Sequence, residues 1–309
     1  MTTDTLTAAA SGTWRLGDHT VNRLGYGAMR IMAKANGEPS DRDTAIAVLR
    51  RAVELGVNHI DTAAFYFSAL RSANELINTA LAPYPDDLVI TTKVGPGRDA
   101  SGDWLPPARP ERLRGQVEEN LRQLGRDHLD VVNLRLGAAL DRGEGSLADR
   151  FGALAELREA GLIRHLGISN VGAEHLEEAL AIAPVVCVQN KYSLTTARED
   201  DALIALCAER GVAFVPFFAI ASGSVGSVGG GPTTREQDDR DRAASSATER
   251  VAREHGVRPA QVRLAWTLHK GPNVLAIPGT GNLDHLAENV AAGALRLTAD
   301  DLARLDTIA

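Results

Sequence analysis

Eight short apolar runs recur along the chain, near residues 22–27, 57–61, 88–94, 129–135, 164–169, 185–190, 212–218 and 274–278. They are rich in Val, Ile and Leu and do not alternate strictly with polar residues, the pattern of strands buried on both faces. Between them, apolar positions recur at helical spacing with legible ends. Ser40 precedes a helix carrying Ile46, Leu49 and Val53 and stopped by Gly56. Pro110 opens one carrying Leu113, Val117, Leu121 and Leu124, closed by Gly125. Ser146 and Asp149 form a capping-box-like start for Leu147, Phe151 and Leu154, ended by Gly161, and 197–210 repeats the design with Gly211 as its stop.

Strand followed by helix, eight times over, predicts right-handed parallel crossovers closing one α/β (β/α)8 TIM barrel. A doubly wound dinucleotide fold would need Gly-x-Gly-x-x-Gly after its first strand. Here Gly25-Tyr26-Gly27 is followed by Arg30 where the third glycine would stand. Residues 14–21, turning at Gly17-Asp18, predict a short N-terminal β-hairpin that plugs the bottom of the barrel, and C-terminal helices follow the eighth strand. The whole of 1–309 reads as a single barrel domain, with about 1–12 a flexible tail and about 222–243, beginning SGSVGSVGGG, a long loop after strand seven. Its position directly after a barrel strand also admits a lid over the functional mouth.

Composition narrows the function. With 44% hydrophobic and 24% charged residues, the chain reads as an ordinary globular protein with a sizeable core. The 33 Lys and Arg against 40 Asp and Glu give a net charge of -7, which argues against a nucleic-acid partner. No apolar stretch approaches a membrane span and no basic start leads into an apolar block, so the expectation is no membrane partner and a cytoplasmic address. Cys187 and Cys207 fall in a strand-like run and a helical pattern and read as core residues. The eight histidines form no metal-ligand spacing, so no metal is expected.

In a barrel the carboxyl ends of the strands share one rim, where active sites are built. The second run ends in Asp61 with Tyr66 five residues on, the third in Lys93, the fourth in Arg135, the fifth in Ser169-Asn170 and the sixth in Gln189-Asn190. A lysine at the end of an apolar strand must be paired or face a cleft, and Asp61 is its natural partner. A nearby ammonium favours the phenolate of Tyr66 and makes it a better acid, suited to protonating a carbonyl oxygen as hydride reaches the carbon. The same residues equally admit a structural rim salt bridge with Tyr66 as a capping aromatic.

The order Asp61-Thr-Ala-x-x-Tyr66, Thr92-Lys93, Gly167-Ile168-Ser169-Asn170, Gln189-Asn190, Ile277-Pro278-Gly279-Thr280 and His285-Leu-x-Glu-Asn289 resembles the aldo-keto reductases, from about Val21 to Leu305. The resemblance implies an eight-stranded barrel that binds a nicotinamide cofactor without a Rossmann motif. It implies Tyr66 as general acid, Lys93 as its charged neighbour and Asp61 as the carboxylate holding Lys93. It places Ser169, Asn170 and Gln189 on the nicotinamide carboxamide and Phe217 against the ring. Gly279, Thr280, His285 and Asn289 fall at the adenosine end, and Gly27, Met29 and Pro278 complete the cofactor-binding set.

Three departures stand out. Arg135 occupies the position where most relatives carry His, so proton relay there is excluded and a fixed positive charge remains. The segment PGTGNLDHLAEN offers only His285 as a cation for a 2'-phosphate, so NADPH is expected from the resemblance with NADH as the alternative. The loop after Tyr66 reads Phe67-Ser-Ala-Leu-Arg71 instead of the common Tyr-Gly. VNRLGYGAM, VNHIDTA, LDVVNLR, VCVQN and VPFF resemble a bacterial branch that includes a pyridoxal reductase, which implies a small-molecule carbonyl partner whose ring hydroxyl could pair with Arg135. Trp104, in GDWLPP, is a candidate ring-stacking wall for that substrate or a rim-packing residue. Two other readings remain beside reversible carbonyl reduction: a nicotinamide-binding regulatory module with little turnover, and a lyase using Lys93 as a Schiff-base nucleophile.

Overall fold

A computed structural model describes residues 6–32, 38, 40–137, 142–220 and 235–307. Its centre is a parallel sheet of β1 (Tyr26–Gly27), β2 (His59–Asp61), β3 (Val89–Val94), β4 (Leu129–Arg135), β5 (Ile163–Ser169), β6 (Val185–Gln189) and β7 (Ala213–Phe214), paired in that order. Residues 274–276 close the ring. Leu275 N donates to Phe214 O (2.9 Å) and Ala276 N to Arg23 O (2.9 Å), so this stretch bridges the last strand back to the first.

Side chains alternate inside and outside along each strand, and that period of two decides what fills the barrel. Ile60, Ile90, Val94, Val132, Leu134, Ile168 and Val188 point outward into the larger apolar cluster beneath the helices. Val89, Val131, Cys187, Ala213, Val215 and Leu275 point inward and form a smaller cluster. Leu16 and Val21 belong to that inner cluster. They come from the hairpin Thr13–Leu16/His19–Asn22, whose antiparallel register pairs Trp14 with Val21. Continuing the same parity upward, Asp61, Lys93, Arg135, Ser169 and Gln189 all face inward at the carboxyl ends of β2 to β6.

Helices α1 (Arg42–Glu54), α2 (Ala73–Leu81), α3 (Pro110–Leu124), α4 (Ala148–Glu159), α5 (Ala173–Ile182) and α6 (Asp201–Glu209) connect successive strands. Helices α7 (Arg235–His255) and α8 (Pro259–His269) precede the closing stretch, and α9 (Leu283–Ala291) and α10 (Ala299–Asp306) follow it. Pro110 opens α3, and Gly125, at φ +63°, ends it in the left-handed region that glycine adopts without strain.

Three local expectations need correction. The cap of α1 is Asp41, whose carboxylate accepts Thr44 N at 2.7 Å, not Ser40. Within the expected tail 1–12, Ala8–Ser11 form a 3-10 turn: Ala8 N donates to Leu55 O (2.8 Å) and Ser11 Oγ accepts Leu24 N (3.0 Å). Small side chains let that turn pack flat, and residues 1–5 lie outside the described ones. The long loop expected over 222–243 ends earlier, because α7 begins at Arg235; residues 221–234 lie outside the described ones. Nine charged residues with Ala and Gln among 235–250 are compatible with a helix as readily as with a polar loop.

His59 marks the bottom of the interior. It is 2% exposed and neither ring nitrogen makes a well-formed hydrogen bond. The ring fits because Gly25 has no side chain: a Cβ there would come within 2.2 Å of Nε2. Burial depresses the His59 pKa to about 4, weakly opposed by the Asn22 backbone. The unfolded chain, with its histidine near 6.5, therefore takes up this proton first as pH falls. Stability contributed by neutral His59 is complete above about 6.5 and is lost as pH drops toward 4. Urea midpoints measured at neutral and acid pH should converge in His59→Leu relative to wild type.

Candidate active site

Three of the interior-facing residues at the carboxyl ends, Lys93, Asp61 and Gln189, meet as one hydrogen-bonded chain. Lys93 Nζ donates to Asp61 Oδ1 at 2.6 Å and to Thr62 O at 2.9 Å, and Gln189 Nε2 donates to Asp61 Oδ2 at 2.7 Å. Lys93 is 2% exposed and Asp61 4%. Both charges are thus taken out of water, which is tolerable only because each is paired and hydrogen-bonded. Tyr66 lies over this chain, with Nζ 4.8 Å from its ring centroid. The predicted acid, amine and phenol therefore converge from adjoining strands at one end of the barrel.

Arg135 closes the group from β4. Its guanidinium lies 5.2 Å from the Phe217 ring centroid, and Phe217 meets Phe218 edge-on at 5.3 Å. Burial pulls the Arg135 pKa down, while the neighbouring Tyr66 and Asp61 oppose that shift. Cys187, one layer below, has its thiol pushed up to about 12, first by burial and then by Asp61, as suits a core residue.

Ser169 and Asn170 sit at a corner the sequence pattern did not reveal. Asn170 takes φ +59°, a left-handed conformation costly for most residues but tolerated by Asn. The corner is fixed on every side: Leu136 N donates to Ser169 O (2.9 Å), Gly143 N to Asn170 O (2.9 Å) and Asn170 N to Gln189 O (3.1 Å). Asn190 then grips Val171 with both ends of its amide, at 3.0 and 2.8 Å, and donates to Asp200 Oδ2 at 3.0 Å. Asp200 also receives Arg142. What this bracing leaves over is Ser169 Oγ, Asn170 Nδ2 and Gln189 Oε1, three buried polar atoms without a partner.

A second part of the rim lies across the ring closure. A cleft of about 490 Å3 is lined by Arg30, Asp41, Thr44, Gly279, Thr280 and His285, among others. Met29 lies in the 3-10 turn Ala28–Ile31 beside it, and Asn289 is buried one turn beyond His285 on α9. Pro278 O accepts Gly27 N at 3.3 Å, and a Cβ on Gly27 would meet Ile277 O at 2.6 Å, so Gly27 is needed for that close backbone approach. Arg30, missed as a site residue, is half-buried and makes no ion pair among the described residues. The only signal for it was its place in the failed glycine fingerprint.

Trp104 is 45% exposed and lies 5.6 Å from the Phe65 ring, which in turn meets Tyr66 at 5.2 Å. The geometry brings this residue to the mouth through Phe65. Among the described residues no group of three or more His, Cys, Asp or Glu is placed to hold a metal ion, and no helix is long and apolar enough to cross a membrane.

Breaking a buried pair leaves an uncompensated charge and costs about 3–5 kcal/mol. Asp61→Ala should therefore lower the unfolding free energy by that order in denaturant titrations. The double variant Asp61→Asn/Lys93→Met should lose clearly less than the sum of its single variants, and strict additivity would contradict the coupling.

Known proteins supply the remaining comparison. A sequence model of the Aldo/keto reductase family matches residues 23–309. Pyridoxine 4-dehydrogenase of Escherichia coli K12 is 45% identical over 302 residues, covering 97% of this chain and 99% of that protein. An oxidoreductase of Schizosaccharomyces pombe is 35% identical, over 97% and 90%. Among solved structures, an aldo/keto reductase of Klebsiella pneumoniae in complex with NADP and acetate is 26% identical, with a TM-score of 0.74 over 96% of this chain and 94% of that one. A match that runs from the first barrel strand to the C-terminus, on the fold its geometry requires, leaves one conclusion: this chain belongs to the aldo/keto reductase family.

Proposed function

We propose that the protein reversibly transfers hydride between NADP(H) and an aldehyde or ketone, with pyridoxal and pyridoxine as the substrate pair. The observation that carries this reading is the buried Gln189–Asp61–Lys93 chain beneath Tyr66 at the open end of the barrel. The 45% identity to a pyridoxine 4-dehydrogenase supports the substrate, and the NADP in the Klebsiella relative supports the cofactor.

The residues fit a nicotinamide. A carboxamide needs a donor for its oxygen and an acceptor for its NH2, and Asn170 Nδ2, Gln189 Oε1 and the Ser169 hydroxyl are the buried atoms lacking partners. Phe217 offers a ring to stack upon. Arg30 places a positive charge in the cleft that would take the adenosine end, which favours the phosphorylated dinucleotide over NADH.

Bound there, the reduced nicotinamide supplies a hydride to the carbonyl carbon. Tyr66 gives its phenolic proton to the carbonyl oxygen, so the carbonyl gains a hydride at carbon and a proton at oxygen from separate sources and leaves as an alcohol. Lys93 stabilises the negative charge left on the phenolic oxygen, and Asp61 and Gln189 keep Lys93 in place. Arg135 cannot relay a proton; it pairs instead with an acidic oxygen next to the carbonyl, such as the ring hydroxyl of pyridoxal. Lys93, held by Asp61 and Thr62 and 2% exposed, is poorly placed to attack a substrate as a lyase would require.

Tyr66→Phe should keep cofactor affinity and lose about 10²- to 10⁴-fold in turnover, followed by nicotinamide absorbance with a panel of carbonyl compounds. Near-normal rates would remove Tyr66 as proton donor, and activity on other aldehydes without pyridoxal would remove the substrate assignment. Arg30→Ala should weaken NADPH about tenfold more than NADH in fluorescence titrations, since only the former carries the extra phosphate.

A further inference from the structure

We infer that Arg98 is a positioning residue that presets Trp104 as a stacking wall and so selects flat aromatic aldehydes over aliphatic ones. The inference rests on the carbonyl-reducing reading above and names the substrate class of that site.

The loop between β3 and α3 folds back as a small antiparallel ribbon, Gly97–Arg98 against Trp104–Leu105. Its turn is braced from within: Asp99 Oδ1 accepts Ser101 N and Asp103 N, each at 3.0 Å, and Ser101 Oγ at 2.6 Å. At its base Ala108 N donates to Gly95 O at 2.7 Å. Trp104 therefore rides on a stiff support.

Arg98 ties that support to the neighbouring loop. Its Nε donates to Gly102 O (2.7 Å) inside the ribbon, whereas Nη1 reaches across to Phe67 O (3.2 Å) in the loop between β2 and α2. The same guanidinium lies 5.0 Å from the Phe67 ring centroid and 5.7 Å from that of Trp104, within cation–π range of both. One side chain thus couples two rim loops and two rings.

Trp104 is held on its other side as well. Its ring meets Phe65 at 5.6 Å and 63°, and the buried Phe65 meets Tyr66 edge-on at 5.2 Å and 88°. Three aromatic rings lead from solvent to the proton donor, and the outermost, 45% exposed, is still pinned by Arg98 and Phe65. Fixing a large ring before the substrate arrives removes the ordering cost that a free tryptophan would incur on stacking. A planar ring profits from such a wall over its whole face, and an aliphatic chain gains far less.

The test compares kcat/KM for benzaldehyde and butyraldehyde in wild type, Arg98→Ala and Arg98→Lys. Arg98→Ala should lower the aromatic-to-aliphatic ratio about fivefold, chiefly through KM for benzaldehyde, and Arg98→Lys should restore part of it by keeping the cation. An equal fall for both aldehydes, or an unchanged ratio, would overturn the assignment. A second readout needs no turnover: acrylamide quenching of Trp104, isolated by difference from Trp104→Phe, should rise in Arg98→Ala, and unchanged quenching also overturns the positioning role. If the wild type reduced no carbonyl compound at all, the carbonyl reading would fall, and the quenching result would still decide whether Arg98 holds the ring.

Discussion

Removing the Lys93 ammonium from water is the constraint around which the open end of the barrel is arranged. An unpaired charge at that depth would cost several kcal/mol, so the chain must bring acceptors to it from more than one strand. Asp61 comes from β2, Thr62 O from the residue after it, and Gln189 arrives from β6 to take the second carboxylate oxygen. The side-chain parity that aligns these residues also fixes the strand register, since a slip of one residue would turn every one of them outward. Stability and site geometry consequently draw on the same hydrogen bonds.

The rim beyond that charge chain is held by backbone and side-chain hydrogen bonds together. Asn170 stays in a left-handed conformation because its own N–H and carbonyl, and both polar groups of Val171, are already engaged. Asn190 links this corner to Asp200, and burial raises the pKa of Asp200 against the opposing pull of Asn190 and Arg142. Rigid support of this kind keeps Ser169, Asn170 and Gln189 at fixed positions while leaving one polar atom of each unsatisfied.

The barrel was legible because doubly buried strands leave apolar runs and glycines leave clear helix stops, as at Gly125 and Gly161. Asp61, Tyr66 and Lys93 were legible for a related reason: ionisable groups at the ends of apolar runs have few structural uses. Arg30 and Arg98 were not, because their meaning lies in the cleft that Arg30 shares with Thr280 and His285, some 250 positions away, and in the contacts of Arg98 with Phe67 across two loops. No periodicity records such pairings. The cap at Asp41 was not legible because Ser40 beside it can equally accept the orphan N–H, and only the φ/ψ of the turn decides between them. The helix α7 was hidden by charge, since nine of the residues 235–250 are ionisable and make the segment read as a polar loop.

Arg135 brings a second cation to this end of the barrel. Lys93 and Arg135 both face inward near Tyr66, Lys93 held against Asp61 and Arg135 lying over the Phe217 ring. On the proposed reading, cations so placed favour the phenolate left after proton donation and an anionic oxygen beside the reacting carbonyl. A histidine at position 135 would share the first effect only while protonated, and would carry it away as pH rose past its own titration. Arginine keeps its charge throughout, so on the proposed reading Tyr66 is left as the one proton source at the carbonyl and Arg135 acts as a fixed counter-charge. That division of labour accounts for a substitution that would otherwise bury a guanidinium, 7% exposed, at the centre of the site.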